Sequence, residues 1–219
     1  SPAGPRDPIP PRIPEVLVDA VLPRDDVIDE AELTRLAMNG LDFSERVVSG
    51  ADIEKSRFTT CTIGPGIFDW VTLSDCEVCG CDLANLQAKN SSMVRVKITR
   101  SRMTGLSWFK GRWKEVLLQS CRSEMVSFAF TSFTEVLFTE CNLRQADFQN
   151  ADLRGARFVD CDLSGAQFAD ASMAGTRFAG CILQDIVGVN SMRGAIVDSR
   201  DITDLAYSLA SALGIVVES

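Results

Sequence analysis

The sequence predicts an all-β solenoid wound from four-sided coils, and three features carry that prediction. From residue 31 to residue 185 a large apolar side chain recurs at nearly every fifth position, with no insertion or deletion. A period of five is neither the 3.6 of a helix nor the 2 of an open strand. Self-similarity at a fixed short period marks a solenoid, in which no unit can bury its own apolar face. A second period sits inside the first: Cys61, Cys81, Cys121, Cys141, Cys161 and Cys181 are 20 or twice 20 residues apart, with Ser101 in the gap. Twenty residues make four units, hence four sides per coil. The third feature is the matching of columns at that spacing. One holds Val48, Phe68, Ala88, Trp108, Phe128, Phe148 and Phe168, and the opposite one Met38, Phe58, Val78, Ile98, Leu118, Phe138, Phe158 and Phe178.

Residues 1–23 form the first segment. They hold most of the chain's prolines, so the first dozen residues are expected to be mobile and Ile13–Leu22 to cover the open core of the first coil. Residues 24–187 form the rod. At the ordinary interstrand distance of ~4.8 Å its repeats give nearly eight coils and a length of roughly 37 Å. Phenylalanine rings in register are expected to stack offset. Trp108 and Trp113 enter one coil, with Ala88 a coil below Trp108 and Gly111 between them leaving room, since interiors pack to crystal density. Residues 188–219 form the last segment. Asp201 is placed to cap a helix, Ile202, Leu205, Ala206, Leu209, Ala212 and Leu213 form its apolar stripe, and Gly214 stops it. Ile215-Val216-Val217 reads as a short strand. An uncovered solenoid end invites polymerisation, so Leu205, Leu209, Leu213 and Val216 are read as a cap or as a homodimer contact.

The repeating units include Ala146-Asp147-Phe148, Ala151-Asp152-Leu153, Cys161-Asp162-Leu163 and Ala166-Gln167-Phe168. They resemble the A(D/N)LXX unit of the pentapeptide-repeat family. That resemblance implies a right-handed quadrilateral β-helix in which the central residue, i, and the residue at i−2 point inward. Arg46 at i−2, and Ser123 and Ala88 at i, depart from the pattern, which decays at Gly188 and Arg193. Some members, of the MfpA and Qnr type, resemble a short DNA duplex in size and charge. They bind DNA gyrase in its place and protect it from quinolones, and a relative protects against albicidin. In those members the C-terminal region joins two rods end to end. The resemblance therefore implies a protein partner, with DNA gyrase the first expectation. The alternative is a general interaction scaffold, binding through outward apolar residues such as Val47, Ile67, Trp70, Phe109 and Phe130.

Other function classes find little in the residues. The chain has no histidine, which removes the commonest general base and any Ser-His-Asp or Cys-His pair. No GxxxxGK[ST] phosphate loop occurs, and carboxylates fall at outward positions of a rod without an obvious cleft. No enzyme activity and no cofactor are therefore expected. Six of the eight cysteines line one interior column, where they read as buried thiols and not as metal ligands, while Cys79 falls at an outward position. Reduced thiols suit a cytoplasmic protein, no apolar run is long enough to span a membrane, and the net charge of −8 disfavours direct binding of nucleic acid.

The outward charges are layered. Asp69, Asp75, Glu77 and Asp82 precede a basic belt of Lys89, Arg95, Lys97, Arg100, Arg102, Lys110, Arg112 and Lys114. Lys55, Asp75, Arg95 and Glu115 fall in one alternating column, and Arg57, Glu77 and Lys97 in another, which reads as charge ladders between coils. Beyond the belt the surface turns acidic, and Glu140, Asp160 and Asp162 share one edge. They are the candidate partner-binding residues.

Overall fold

A computed structural model describes residues 6–217. The chain winds into a right-handed quadrilateral β-helix of about nine turns followed by one short helix. Every strand pairing is parallel, and those inside the rod join residues 20 apart, as in Met93↔Trp113 and Phe138↔Phe158. The first face, centred on Leu33 to Met173, and the second, centred on Met38 to Phe178, share a 13-stranded sheet. Three of its strands, Thr72–Cys79, Ser92–Thr99 and Arg112–Gln119, run through both faces without a break. The fourth face carries a four-stranded sheet, while the third is held by isolated bridges such as Asp82↔Arg102 and Asn142↔Asp162.

The corners explain the period. Every fifth residue from Glu30 to Asp185, Pro65 excepted, has φ between +49° and +78°. One left-handed residue per unit turns the chain and returns the next apolar residue to the interior. Such a φ is unfavourable for most side chains. It is tolerated here by Trp70, Glu115 and Glu135 as well as by glycines, because the coils above and below fix the backbone at each corner. Asn142 donates its N–H down to the Cys121 carbonyl at 3.0 Å, and Leu143 donates up to Asp162 at 2.8 Å.

The core is one continuous apolar stack. Phe138, Phe158 and Phe178 stack with nearly parallel planes at ring separations of 4.7 and 5.1 Å, and Phe148 stacks on Phe168 at 5.3 Å. The two columns meet edge to face, as in Phe148 and Phe158 at 83°. Trp108 and Trp113 cross at 84°, and the Trp108 indole N–H donates to the Ser91 carbonyl at 3.1 Å. The thiol column lies inside as expected, with Cys61, Cys81, Cys121, Cys141, Cys161 and Cys181 buried; Cys76 is buried in a different interior column, and Cys79 is half-buried. Small polar residues suit i−2 because each bridges coils. Ser101 Oγ accepts the Cys81 N–H and donates to the Thr99 carbonyl.

The ends extend the rod beyond the repeat. Val18–Asp19 adds a rung on Leu36–Ala37, a step of 18 residues, and Ile196–Val197 adds one on Arg177–Phe178, a step of 19. These irregular rungs account for about nine turns where the repeat alone gives nearly eight. Residues 6–12, expected to be mobile, lie along the outside of the rod with their own side-chain partners. Residues 1–5 fall outside the described part.

The helix spans Ile202–Ala212. Gly214, at φ +71°, ends it as expected: Ile215 N–H reaches Ala210 and Gly214 N–H reaches Ser211, both through carbonyl oxygens. Two expectations are corrected. Asp201 makes no capping bond; its carboxylate accepts the buried Cys181 N–H at 2.9 Å. It stands 20 residues beyond Cys181 and acts as one more member of that column. Ile215–Val217 is not a strand, because it leaves the helix as an exposed segment with no rung beside it to pair with.

Candidate functional site

The corner between the second and third faces gathers the three predicted acids. Glu140 and Asp160 are successive left-handed corner residues, and Asp162 begins the next face. All three line one shallow depression with Asn142, Gly180 and Ile182. Ser120 donates to Glu140 at 2.6 Å from the coil below. Gly180, one coil above, leaves room for Asp160, whose carboxylate oxygen lies 2.2 Å from where a Cβ would stand. Burial works to raise the Asp162 pKa, but hydrogen bonds from Ser164 and Arg144 outweigh it and hold the carboxyl below the ordinary value. Arg144 lies 3.2 Å from Asp162. The acidic row therefore spans two coils at full height. Below it the same corner carries Ser120 and Arg100, with Arg102 and Arg122 on the adjoining face.

The basic belt is an equatorial ring distributed over all four sides. Two of its members are neutralised from the coil beneath: Arg95 makes two bonds of 2.7 Å to Asp75, and Arg102 reaches Asp82 at 3.0 Å. The expected ladders form only in part. Arg57 pairs with Glu77 at 2.7 Å, but Lys55 turns to Glu54. Glu115, expected to meet Arg95, takes Arg6 from the N-terminal segment at 2.8 Å.

Outward apolar residues gather on the fourth face and the corner beside it. Val47 pairs with Ile67 in register, Trp70 stands at the corner, and Phe109 meets Phe130 edge to face at 5.5 Å. Gln87, Lys89 and Asn90 separate the first three from the last two.

At the C-terminal end the four candidate residues divide. Leu205 is buried against the last coil at 5% exposure, whereas Leu209, Leu213 and Val216 are exposed at 39%, 73% and 84%. An open groove beside the helix is lined by Val189, Met192, Ala195, Val197, Ile202 and Leu209.

The family model for the pentapeptide repeat region matches residues 131–187. The same five-residue register and left-handed corners continue through the rest of the rod. Residues 131–187 thus carry a pentapeptide repeat region, and the rest of the rod shares its register. No curated protein matches it. Among solved structures, a trypsin-treated form of QnrB1, a plasmid-mediated fluoroquinolone resistance protein, aligns at 17% identity over 84% of this chain and 100% of that chain, with a TM-score of 0.42. The pentapeptide repeat protein Rfr23 from the cyanobacterium Cyanothece 51142 aligns at 16% identity over 56% and 91%, with a TM-score of 0.46. HetL, a pentapeptide repeat protein involved in heterocyst differentiation regulation in the cyanobacterium Nostoc sp. strain PCC 7120, aligns at 18% identity over 77% and 85%, with a TM-score of 0.35.

One group of surface residues on this pentapeptide rod escaped the sequence reading. Asp75 and Glu115 are each only 3% exposed, although both stand at outward corners. What covers them is the N-terminal segment. Its partners lie as much as 151 residues away in the chain, so no local pattern announces them. No helix is long and apolar enough to cross a membrane among the described residues.

Proposed function

We propose that this protein works by binding a protein partner along the outside of its rod, and that the partner is DNA gyrase, engaged as duplex DNA would be. The observation that carries this reading is the acidic corner of Glu140, Asp160 and Asp162, where carboxylates on successive coils stand ~5 Å apart. A row at that spacing can offer negative charge to a basic DNA-binding saddle in place of phosphates. The resemblance to gyrase-binding pentapeptide-repeat proteins supplies the identity of the partner. The rod needs no chemistry of its own for this role. The test is competition: gyrase captured on immobilised protein should be released by duplex DNA and by salt. Charge reversal of the three acids should abolish capture. Capture that survives both DNA competition and charge reversal excludes mimicry at this corner.

A second reading, a general scaffold, is favoured by the exposed Val47 and Ile67 pair with Trp70 beside it. Under that reading, polar replacement of these three removes partner binding and reversal of the acidic corner does not.

The C-terminal end fits a second copy of the chain. Leu209, Leu213 and Val216 lie uncovered beside the groove at the end of the rod, and burial of each large apolar side chain contributes roughly 1.5–3 kcal/mol. Light scattering should give twice the chain mass for the wild type and the single mass for Leu209→Glu with Leu213→Glu.

A further inference from the structure

The N-terminal segment is laid on the rod as a ligand is laid in a site. From Val18 backwards it runs along the edge between the first and second faces. Arg12 N–H donates to Asp75 at 3.0 Å, and Ile9 N–H donates to Glu115 at 2.6 Å. The Arg6 guanidinium bridges Glu115 at 2.8 Å and Glu135 at 2.7 Å. From the rod side, Arg157 donates to the Arg6 carbonyl at 3.0 Å and to Asp7 at 2.7 Å. Asp75 is held in place from the other side by Arg95.

The spacing of these contacts is informative. Arg6, Ile9 and Arg12 are three residues apart, and Pro8, Pro10, Pro11 and Pro14 fill the positions around them. A polyproline II helix has three residues per turn and rises ~3.1 Å per residue, so it repeats every ~9.3 Å. Asp75 and Glu115 are two coils apart on the rod, or ~9.6 Å at the interstrand distance. The two repeats agree, so successive turns of a polyproline helix present the Arg12 and Ile9 N–H groups to the buried Asp75 and Glu115, while the Arg6 side chain reaches Glu115 as well and Glu135 one coil further on. Proline has no N–H, and the N–H groups that remain at Ile9 and Arg12 are the ones accepted.

The segment is also held so that it can leave. Its backbone bonds to backbone begin at Val18, and residues 6–17 contribute none. Contacts of residues 6–12 run through side chains on the rod or on the segment, and the Arg6 and Asp7 side chains are 60% and 83% exposed.

We propose that the edge formed by Asp75, Glu115, Glu135 and Arg157 is a recognition site for arginine-bearing polyproline II segments, occupied at rest by the chain's own N-terminus. A partner segment of that chemistry binds when the N-terminus is displaced. This site is separate from the acidic corner and does not depend on gyrase.

The probe is a fluorescein-labelled peptide of residues 1–14, titrated by fluorescence anisotropy onto the full chain. Tethering gives the resident segment an effective concentration near millimolar, so the wild type should bind the peptide weakly. A full chain with Arg6→Glu, Pro10→Gly and Pro11→Gly should bind it at least tenfold more tightly. Adding Glu115→Gln and Glu135→Gln to that chain should remove the gain, with unchanged circular dichroism showing that the rod is intact. A peptide of equal charge with the prolines replaced by alanine should bind at least tenfold more weakly. Three results each overturn the proposal: no gain in the released chain, a gain insensitive to the two glutamates, or equal binding without prolines. A wild-type dimer that the Arg6→Glu, Pro10→Gly and Pro11→Gly changes convert to monomer places the segment on a second copy and overturns its assignment to its own rod.

Discussion

Gly111→Ala tests the packing around the two tryptophans. An added Cβ at Gly111 falls 2.1 Å from Trp108 Nε1, 2.3 Å from Trp108 Cδ1 and 2.8 Å from the Ser91 carbonyl oxygen. The carbonyl is backbone and fixed by the coil. The indole has little freedom, since it donates to that same carbonyl and abuts Trp113 at 5.5 Å. Overpacking of this kind costs ~1–3 kcal/mol. Displacing the indole also breaks its hydrogen bond, a further ~1 kcal/mol. Gly111 does not have a positive φ, so alanine recovers ~0.4–1 kcal/mol through the unfolded chain. The net destabilisation is about 1–3.6 kcal/mol. With a guanidinium m-value of about 4 kcal/mol/M, the unfolding midpoint should fall by about 0.25–0.9 M. Tryptophan emission in the native state should shift with it. Gly155→Ala is the control: nothing lies within 4 Å of its Cβ, and its φ of +77° alone should cost ~1 kcal/mol, with native emission unchanged. An unchanged or raised midpoint for Gly111→Ala would refute the packing argument.

Ala88→Leu, in register with Trp108 one coil above, should destabilise by ~1–3 kcal/mol in the same unfolding assay. Thiol labelling of the native protein at neutral pH should reach Cys79 first. Burial pushes the Cys76 and Cys181 thiols up to about 12 and about 11, so they stay protonated as well as shielded; mass spectrometry of labelled peptides reads the order. Acid should release the N-terminal segment. The hydrogen bond from Arg6 holds Glu135 down to about 2 from an ordinary 4.5, with Glu115 and Lys114 also facing it. Because the docked pKa is the lower one, docking is fully favoured above about pH 4.5 and is lost as pH falls from there through about pH 2. Trypsin cleavage cannot be followed at such pH, so pepsin cleavage within residues 6–17, compared between pH 4.5 and 2, measures it.

The rod was legible in the sequence because its interior repeats. Phe138, Phe158 and Phe178 sit on one another as their spacing requires, and Gly111 with Ala88 marked where the tryptophans needed room. Burial selects those residues one by one, so the pattern carries the information. The outward charges carry much less. Asp75, Arg95 and Glu115 formed a plausible ladder by spacing, yet Glu115 is taken by Arg6, and the choice between two partners for one carboxylate depends on where a distant segment lies. Asp201 carries the local signals of a helix cap, but its place 20 residues beyond Cys181 decides its role. That step was visible and predicts its interior role. Glu140, Asp160 and Asp162 do meet at one corner, because columns and corners follow from the period. Their short reach along the rod is set by Arg100, Arg102 and Arg122 in the coils beneath.

The central functional claim is that the rod stands in for DNA at gyrase, and a supercoiling assay measures it most directly. Relaxed plasmid, gyrase and ATP are combined with increasing amounts of the protein, with and without a quinolone. The account predicts inhibition of supercoiling or relief of quinolone poisoning at micromolar protein, weakening with salt and lost on charge reversal of Glu140, Asp160 and Asp162. Unaltered supercoiling and unaltered poisoning at those concentrations would contradict it.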